Sequence, residues 1–146
     1  MSLAQMIMES MPELDFKGYY SVDDGEKPEK PEIYCIYRAN SDGEPVELLY
    51  IGESENIKER FIRHEHYEDW EGELLPDENL VFSYAVLNSR EIARKRAEAA
   101  LIFKHNPKCN KQSTETFGYD TTTVTSKGKN AFLCPKFIVR KNERSK

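Results

Sequence analysis

A short apolar run, Leu48-Leu49-Tyr50-Ile51, meets a helical pattern at Gly52, and this junction constrains the chain more than any other stretch. An apolar run of that length stopped by glycine reads as the end of a strand, and Asn56 to His66 has the spacing of a helix. Gly52 has no Cβ, so the chain can turn sharply there and another group can come close to the backbone. Asn56 has the chemistry of an N-cap, and Glu59 three residues on would complete a capping box. On one continuous helix, Arg60 and His64 stand four residues apart and project from the same face. A guanidinium and an imidazole stacked in this way suggest a phosphate site.

The remaining elements fall around this junction. Residues 3 to 11 carry Leu3, Met6, Ile7, Met8 and Met11, a short amphipathic helix ended by Pro12 that should pack on the domain or on a partner. From Asp15 to Glu32 the chain is rich in Asp, Glu, Lys, Gly and Pro and reads as an exposed lead-in, with Tyr19 to Val22 its one strand-like piece. Ile33 to Tyr37 and Val46 to Ile51 are β-branched and aromatic, and Asn40-Ser41-Asp42-Gly43 between them is turn chemistry, so an antiparallel hairpin is expected. An acidic loop from Glu68 to Asn79 precedes Leu80 to Leu87, whose near-continuous apolarity marks a central strand. Asn88-Ser89-Arg90-Glu91 has the form of a second capping box, opening a helix to about His105, before Pro107. Ile92, Ala99, Ala100 and Phe103 form its expected core stripe. Glu98 lies outside the stripe but beside Leu101 and Ile102, where a carboxylate needs a cation or hydrogen-bond donors, unless it is a surface residue paired with Arg94 or Lys95. Thr121 to Thr125 and Phe132 to Val139 are expected to form a basic hairpin turned by residues 126 to 130. The fold class expected is α+β: an α/β sandwich with a three-stranded antiparallel central sheet flanked by helices, an N-terminal helix and a C-terminal β-hairpin appendage.

Charge is divided along the chain. The 146 residues carry a net charge of −5, but residues 1 to 80 hold 21 acids against 7 bases, and residues 81 to 146 hold 5 against 14. Such a chain can offer phosphate an attractive face while keeping an acidic back, although segregated charge is also what an ordinary solvated surface shows. The length suits one domain, the sequence has no apolar run long enough to span a bilayer, and its first residues lack the basic flank of a signal peptide, so a soluble cytoplasmic protein is expected. Cys35, Cys109 and Cys134 are odd in number and form no CxxC, which argues against a disulfide framework. A zinc site drawing on His66, His105, Cys109 and Cys134 is the weaker alternative.

Ile33-Tyr34 followed by Cys35-Ile36-Tyr37, then Tyr50-Ile51-Gly52, Arg60, His64, Glu98 and Asn110 after Asn106-Pro107-Lys108-Cys109, resemble in order the motifs of the GIY-YIG nuclease domain family. The resemblance spans about residues 32 to 112, leaving 1–31 as a helix and lead-in and 113–146 as a basic hairpin and tail. It departs at Glu32, where the first motif opens with glycine, and at Glu53, often lysine in the excision-repair branch. It implies a metal-dependent endonuclease cutting DNA, in repair, restriction or mobile-element biology, with Glu98 holding Mg²⁺ or Mn²⁺. It further implies that Arg60 grips the scissile phosphate, that Tyr34 accepts the proton of the attacking water, and that Tyr50 and His64 orient or assist it. Gly52, Lys58 and Arg63 would contact substrate, and Asn110 would close the loop after the second helix. A tyrosine base must have its pKa drawn down from about 10 by neighbouring cations. The family's core usually works with an added DNA-binding part, here a homodimer partner, a separate chain, or the terminal segments. The alternative is a module of this fold that binds nucleic acid or protein without cutting.

Overall fold

The computed structural model describes residues 2–23, 27–62 and 64–144. In chain order the elements are α1 (Leu3–Ser10), β1 (Glu13–Ser21), β2 (Glu32–Ala39), β3 (Pro45–Ser54), α2 (Ile57–Ile62), α3 (Tyr67–Glu71), β4 (Asn79–Val86), α4 (Glu91–His105), β5 (Thr122–Gly128) and β6 (Lys136–Val139). The strands form one six-stranded sheet in the order β3-β2-β4-β1-β5-β6.

This corrects the expected three-stranded antiparallel sheet with an appended hairpin. β2 pairs antiparallel with β3 and β4, but β1 adds to β4, and β5 then pairs parallel with β1, from Glu13 opposite Thr125 to Phe16 opposite Gly128. The sheet is therefore mixed, and the C-terminal hairpin is part of it. β1 escapes a composition-based reading because Leu14 and Phe16 are buried while Glu13, Asp15 and Lys17 between them are exposed, a period-two strand that looks like a charged loop. The hairpin differs in detail too: β5 runs to Gly128, and residues 129–135 make a longer connection to β6.

Each face of the sheet has its own core. Ile33, Cys35, Tyr37 and Ile51 pack with Ala97, Ala100, Leu101 and Phe103 of α4. Tyr34, Ile36, Tyr50 and Phe82 pack on the other face with Ile57 and Phe61 of α2 and Trp70 of α3. β4 supplies Val81 and Ala85 to one core and Leu80 and Phe82 to the other, which is why its sequence is almost uniformly apolar. On α4 the buried stripe includes Ala93, Arg94 and Ala97, while Ile92, expected in the core, is exposed. The N-cap of α4 is Arg90, with no side-chain capping bond, so the second capping box is not formed. The first is half formed: Asn56 Oδ1 accepts from Glu59 N–H at 3.3 Å, but the N–H of Asn56 donates to Ser54 Oγ at 3.0 Å.

Candidate active site

The hairpin register places Tyr34 of β2 opposite Gly52 of β3 and Tyr84 of β4. A Cβ at position 52 would overlap the ring and hydroxyl of Tyr34, so glycine here is a packing requirement of the tyrosine. Tyr34 stacks on Tyr50 with ring centroids 6.2 Å apart and meets Phe61 edge-on at 5.2 Å. Both faces of the sheet contribute to the site at this end of β3, because α4 brings Glu98 round to the backbone beyond Gly52. Glu98 Oε2 accepts the Glu53 N–H at 2.7 Å.

Tyr34, Tyr50, Arg60 and Glu98 line one polar cavity of about 340 Å³, together with Glu53, Ser54, Glu55, Glu65, Lys95 and Gln112. Arg60 also pairs with Glu65 at 3.3 Å. His64 stands behind Tyr34, with Nε2 2.8 Å from the tyrosine oxygen. It does not lie on the helix of Arg60, as the sequence suggests: α2 ends at Ile62, and His64 is in the connection to α3. Arg63 lies outside the described residues. Lys58 is exposed, pairs with Glu29 at 3.4 Å and is not part of the cavity wall.

The polar bonds of His64 assign its state. Nδ1 accepts the N–H of His66 at 3.1 Å, so the neutral ring carries its proton on Nε2 and donates it to Tyr34. Burial first, then Arg60 and the neighbouring His66, push the His64 pKa down to about 3, so the ring stays neutral. Burial holds the Tyr34 hydroxyl well above its usual range, and Arg60 pulls against that. Tyr50 is pushed up to about 12 by burial and by Glu98. Glu98 is raised to about 7 by burial and by the neighbouring Glu53, against the Glu53 N–H, Lys95 and Arg60.

Asn110 braces the back of the site. Its Oδ1 accepts from the Ile51 N–H and its Nδ2 donates to the Ile51 carbonyl, both at 2.9 Å, while the Cys109 N–H donates to the Leu49 carbonyl at 2.8 Å. β3 is a sheet edge, and these bonds satisfy the side of the strand that no other strand covers.

Composition gave no hint of Arg94, which is 3% exposed, or of the role of Glu53. Arg94 and Lys95 do flank Glu98 in sequence, but both pair with Glu53 instead. An arginine at a helical spacing of three and seven from Ala97 and Leu101 was the available signal. Zinc has no support: among the described residues no three His, Cys, Asp or Glu side chains gather as a metal site. His105 uses one nitrogen to donate to the Leu101 carbonyl and the other to accept the Cys134 N–H. The Glu98 oxygen that does not accept the Glu53 N–H would be the one to hold a single hard divalent ion, since Mg²⁺ is commonly held by one carboxylate with waters and phosphate completing its shell. No described helix is long and apolar enough to cross a membrane.

No family model matches the chain, and no solved structure matches it. The chain is similar to the UvrABC system protein C of Thermosipho africanus, 33% identical over 82 residues, which is 56% of this chain and only 14% of that protein.

Proposed function

We propose that the chain is a metal-dependent endonuclease that hydrolyses phosphodiester bonds in DNA through a GIY-YIG type of site, in keeping with a role in DNA repair. One observation carries the reading: Tyr34, Tyr50, Arg60 and Glu98, from two strands and two helices, face a single polar cavity. The similarity to a UvrABC system protein supports the same direction.

Arg60 presents a fork of donors to two oxygens of the scissile phosphate, exchanging Glu65 for it. Glu98 offers Oε1 to the ion, and a bound Mg²⁺ or Mn²⁺ would supply the positive charge that relieves the leaving oxygen. Tyr34 is the acceptor for the proton of the attacking water, which requires its phenolate. Burial and Tyr50 oppose that form and keep the resting hydroxyl protonated. The charge of Arg60 and the hydrogen bond that His64 donates from Nε2 to the tyrosine oxygen pull the other way, and a bound divalent ion would add to them. Neutral and bonded at both nitrogens, His64 orients Tyr34 and takes no proton itself. Tyr50 stacks against Tyr34 and closes the cavity wall.

The test is nicking of supercoiled plasmid with Mg²⁺. Glu98→Ala and Arg60→Ala should each lower the rate by roughly 100-fold or more, with circular dichroism unchanged. A second reading, a module of this fold that binds nucleic acid or protein without cutting, is favoured by the cavity's charge, which opposes the entry of a scissile phosphate: Glu53, Glu55, Glu65 and Glu98 outnumber Arg60 and Lys95. Wild type that nicks nothing but retards DNA with steep salt dependence would establish it.

A further inference from the structure

Residue 53 is held twice by α4. Its N–H donates to Glu98 Oε2 at 2.7 Å, its carboxylate accepts from Arg94 Nε at 3.1 Å, and Lys95 Nζ lies 3.6 Å from its other oxygen. Arg94 and Glu98 are one turn apart on α4, so a single helix face grips one strand residue by side chain and by main chain. Arg94 is itself locked: Nη1 donates to the Ser89 carbonyl at 2.8 Å, Nη2 reaches Glu55 at 3.5 Å, and the guanidinium is no part of the cavity wall. A charge this deeply buried is costly unless answered, and the answer here is Glu53. Left unanswered, Glu53 would be a second carboxylate beside Glu98, bidding for the same ion.

We propose that Arg94 is a positioning residue: it ties the Glu53 carboxylate, which stands in the cavity wall, away from the divalent ion and fixes residue 53 so that its N–H orients Glu98. Glu53 then acts on the site through its backbone, which is how an acid is accommodated at this position. The inference rests on the nuclease reading for the nature of the ion and goes beyond it in what Arg94 and Glu53 do.

The probe is Mn²⁺ alone, titrated into the full chain and followed by the electron paramagnetic resonance of the free ion. Glu53→Gln keeps the N–H and an acceptor for Arg94, whose charge Glu55 at 3.5 Å still faces, so the Mn²⁺ affinity of the folded variant should stay within about threefold of wild type. A loss of about tenfold or more, the effect of removing a group that holds or orients a metal, makes Glu53 a ligand and overturns the proposal. Arg94→Met releases Glu53 as a second carboxylate ligand, so Mn²⁺ should bind about tenfold tighter while plasmid nicking slows about tenfold. Adding Glu53→Gln to Arg94→Met should bring Mn²⁺ affinity back towards wild type. If folded Arg94→Met loses Mn²⁺ affinity and nicking together, Arg94 is merely structural and the proposal falls. If that variant does not fold, the Glu53→Gln titration decides alone. Wild type that binds Mn²⁺ but cuts nothing would remove the nuclease reading and leave the Mn²⁺ titrations to decide the inference, whereas wild type that binds no Mn²⁺ overturns it.

Discussion

α1 and α4, the two longest helices, invert each other's chemistry. α1 exposes its apolar residues, Leu3 at 72%, Met8 at 59%, and Met6 and Ile7 at about half, and has no buried residue. It docks through an acid, Glu9, whose carboxylate is gripped by both Nε and Nη2 of Arg90 at 2.8 and 2.9 Å. α4 leaves Ile92 in solvent and takes Arg94 inside. An amphipathic pattern therefore sorts neither helix correctly. What differs is the partner: the Glu9 side chain is largely covered, but the guanidinium that answers it stands mostly in water, whereas Arg94 and Glu53 are desolvated together and must match.

The largest expected effect breaks that match. Arg94→Met strips the buried partner from Glu53, itself largely buried, leaving it only the half-exposed Lys95 at 3.6 Å, and leaves the Ser89 carbonyl without its donor. Breaking one side of a buried pair costs about 3–5 kcal/mol, so urea denaturation should show a midpoint shift of that size, insensitive to added salt. A loss below about 1 kcal/mol would mean that α4 tolerates charge as α1 does.

Next in size is Asn110→Ala, which leaves the N–H and carbonyl of fully buried Ile51 unpartnered. At about 1–3 kcal/mol per stranded group, a loss of about 2–3 kcal/mol is expected, with hydrogen exchange at the Ile51 amide accelerated more than at Ile36 in the sheet interior.

These residues also divide what could be read without coordinates from what could not. The pairing of Tyr34 with Gly52 follows from a local hairpin, and Asn110 stands in a Pro-containing loop whose need for closure is visible in the sequence. The parallel pairing of β1 with β5 joins residues more than 100 positions apart, and no local pattern announces it. Arg94 and Glu53 belong to the same class: each reads as a surface charge until the fold places them together. The position of His64 failed for a different reason, since a helical spacing continued in sequence after α2 had stopped in space.

A third prediction uses pH. Glu32 of β2 is fully buried, neither carboxylate oxygen makes a hydrogen bond, and burial pushes its pKa up to about 8, against the pull of the nearby Ile57 amide and Arg94. The folded pKa is above the unfolded one, so the native state holds the proton more tightly. Stability is then full below about pH 4.5 and is lost as pH rises through about 8. Glu98, raised to about 7, adds a loss of the same sign. Thermal melts from pH 5 to pH 9 should show the melting temperature falling on the alkaline side, and Glu32→Gln should lessen the fall and melt above wild type at pH 9. Equal slopes for the two proteins would show that Glu32 is ionised in the fold despite its burial.

The smallest effect belongs to α1 and completes the contrast. Replacing Leu3, Met6 and Ile7 together by serine deletes three apolar side chains from a helix that buries none of its residues. The transfer term that makes core deletions expensive is nearly absent, because these atoms are already largely in water. Helix propensity falls by a few tenths of a kcal/mol per serine, but the Ser2 cap, bonded to the Gln5 N–H at 3.1 Å, and the Glu9 to Arg90 pair remain. The urea midpoint should therefore move by less than about 1 kcal/mol in equivalent stability, well below the change for Arg94→Met. A loss matching that of Arg94→Met would show that the α1 side chains are buried in solution against a surface that solvent exposure does not reveal.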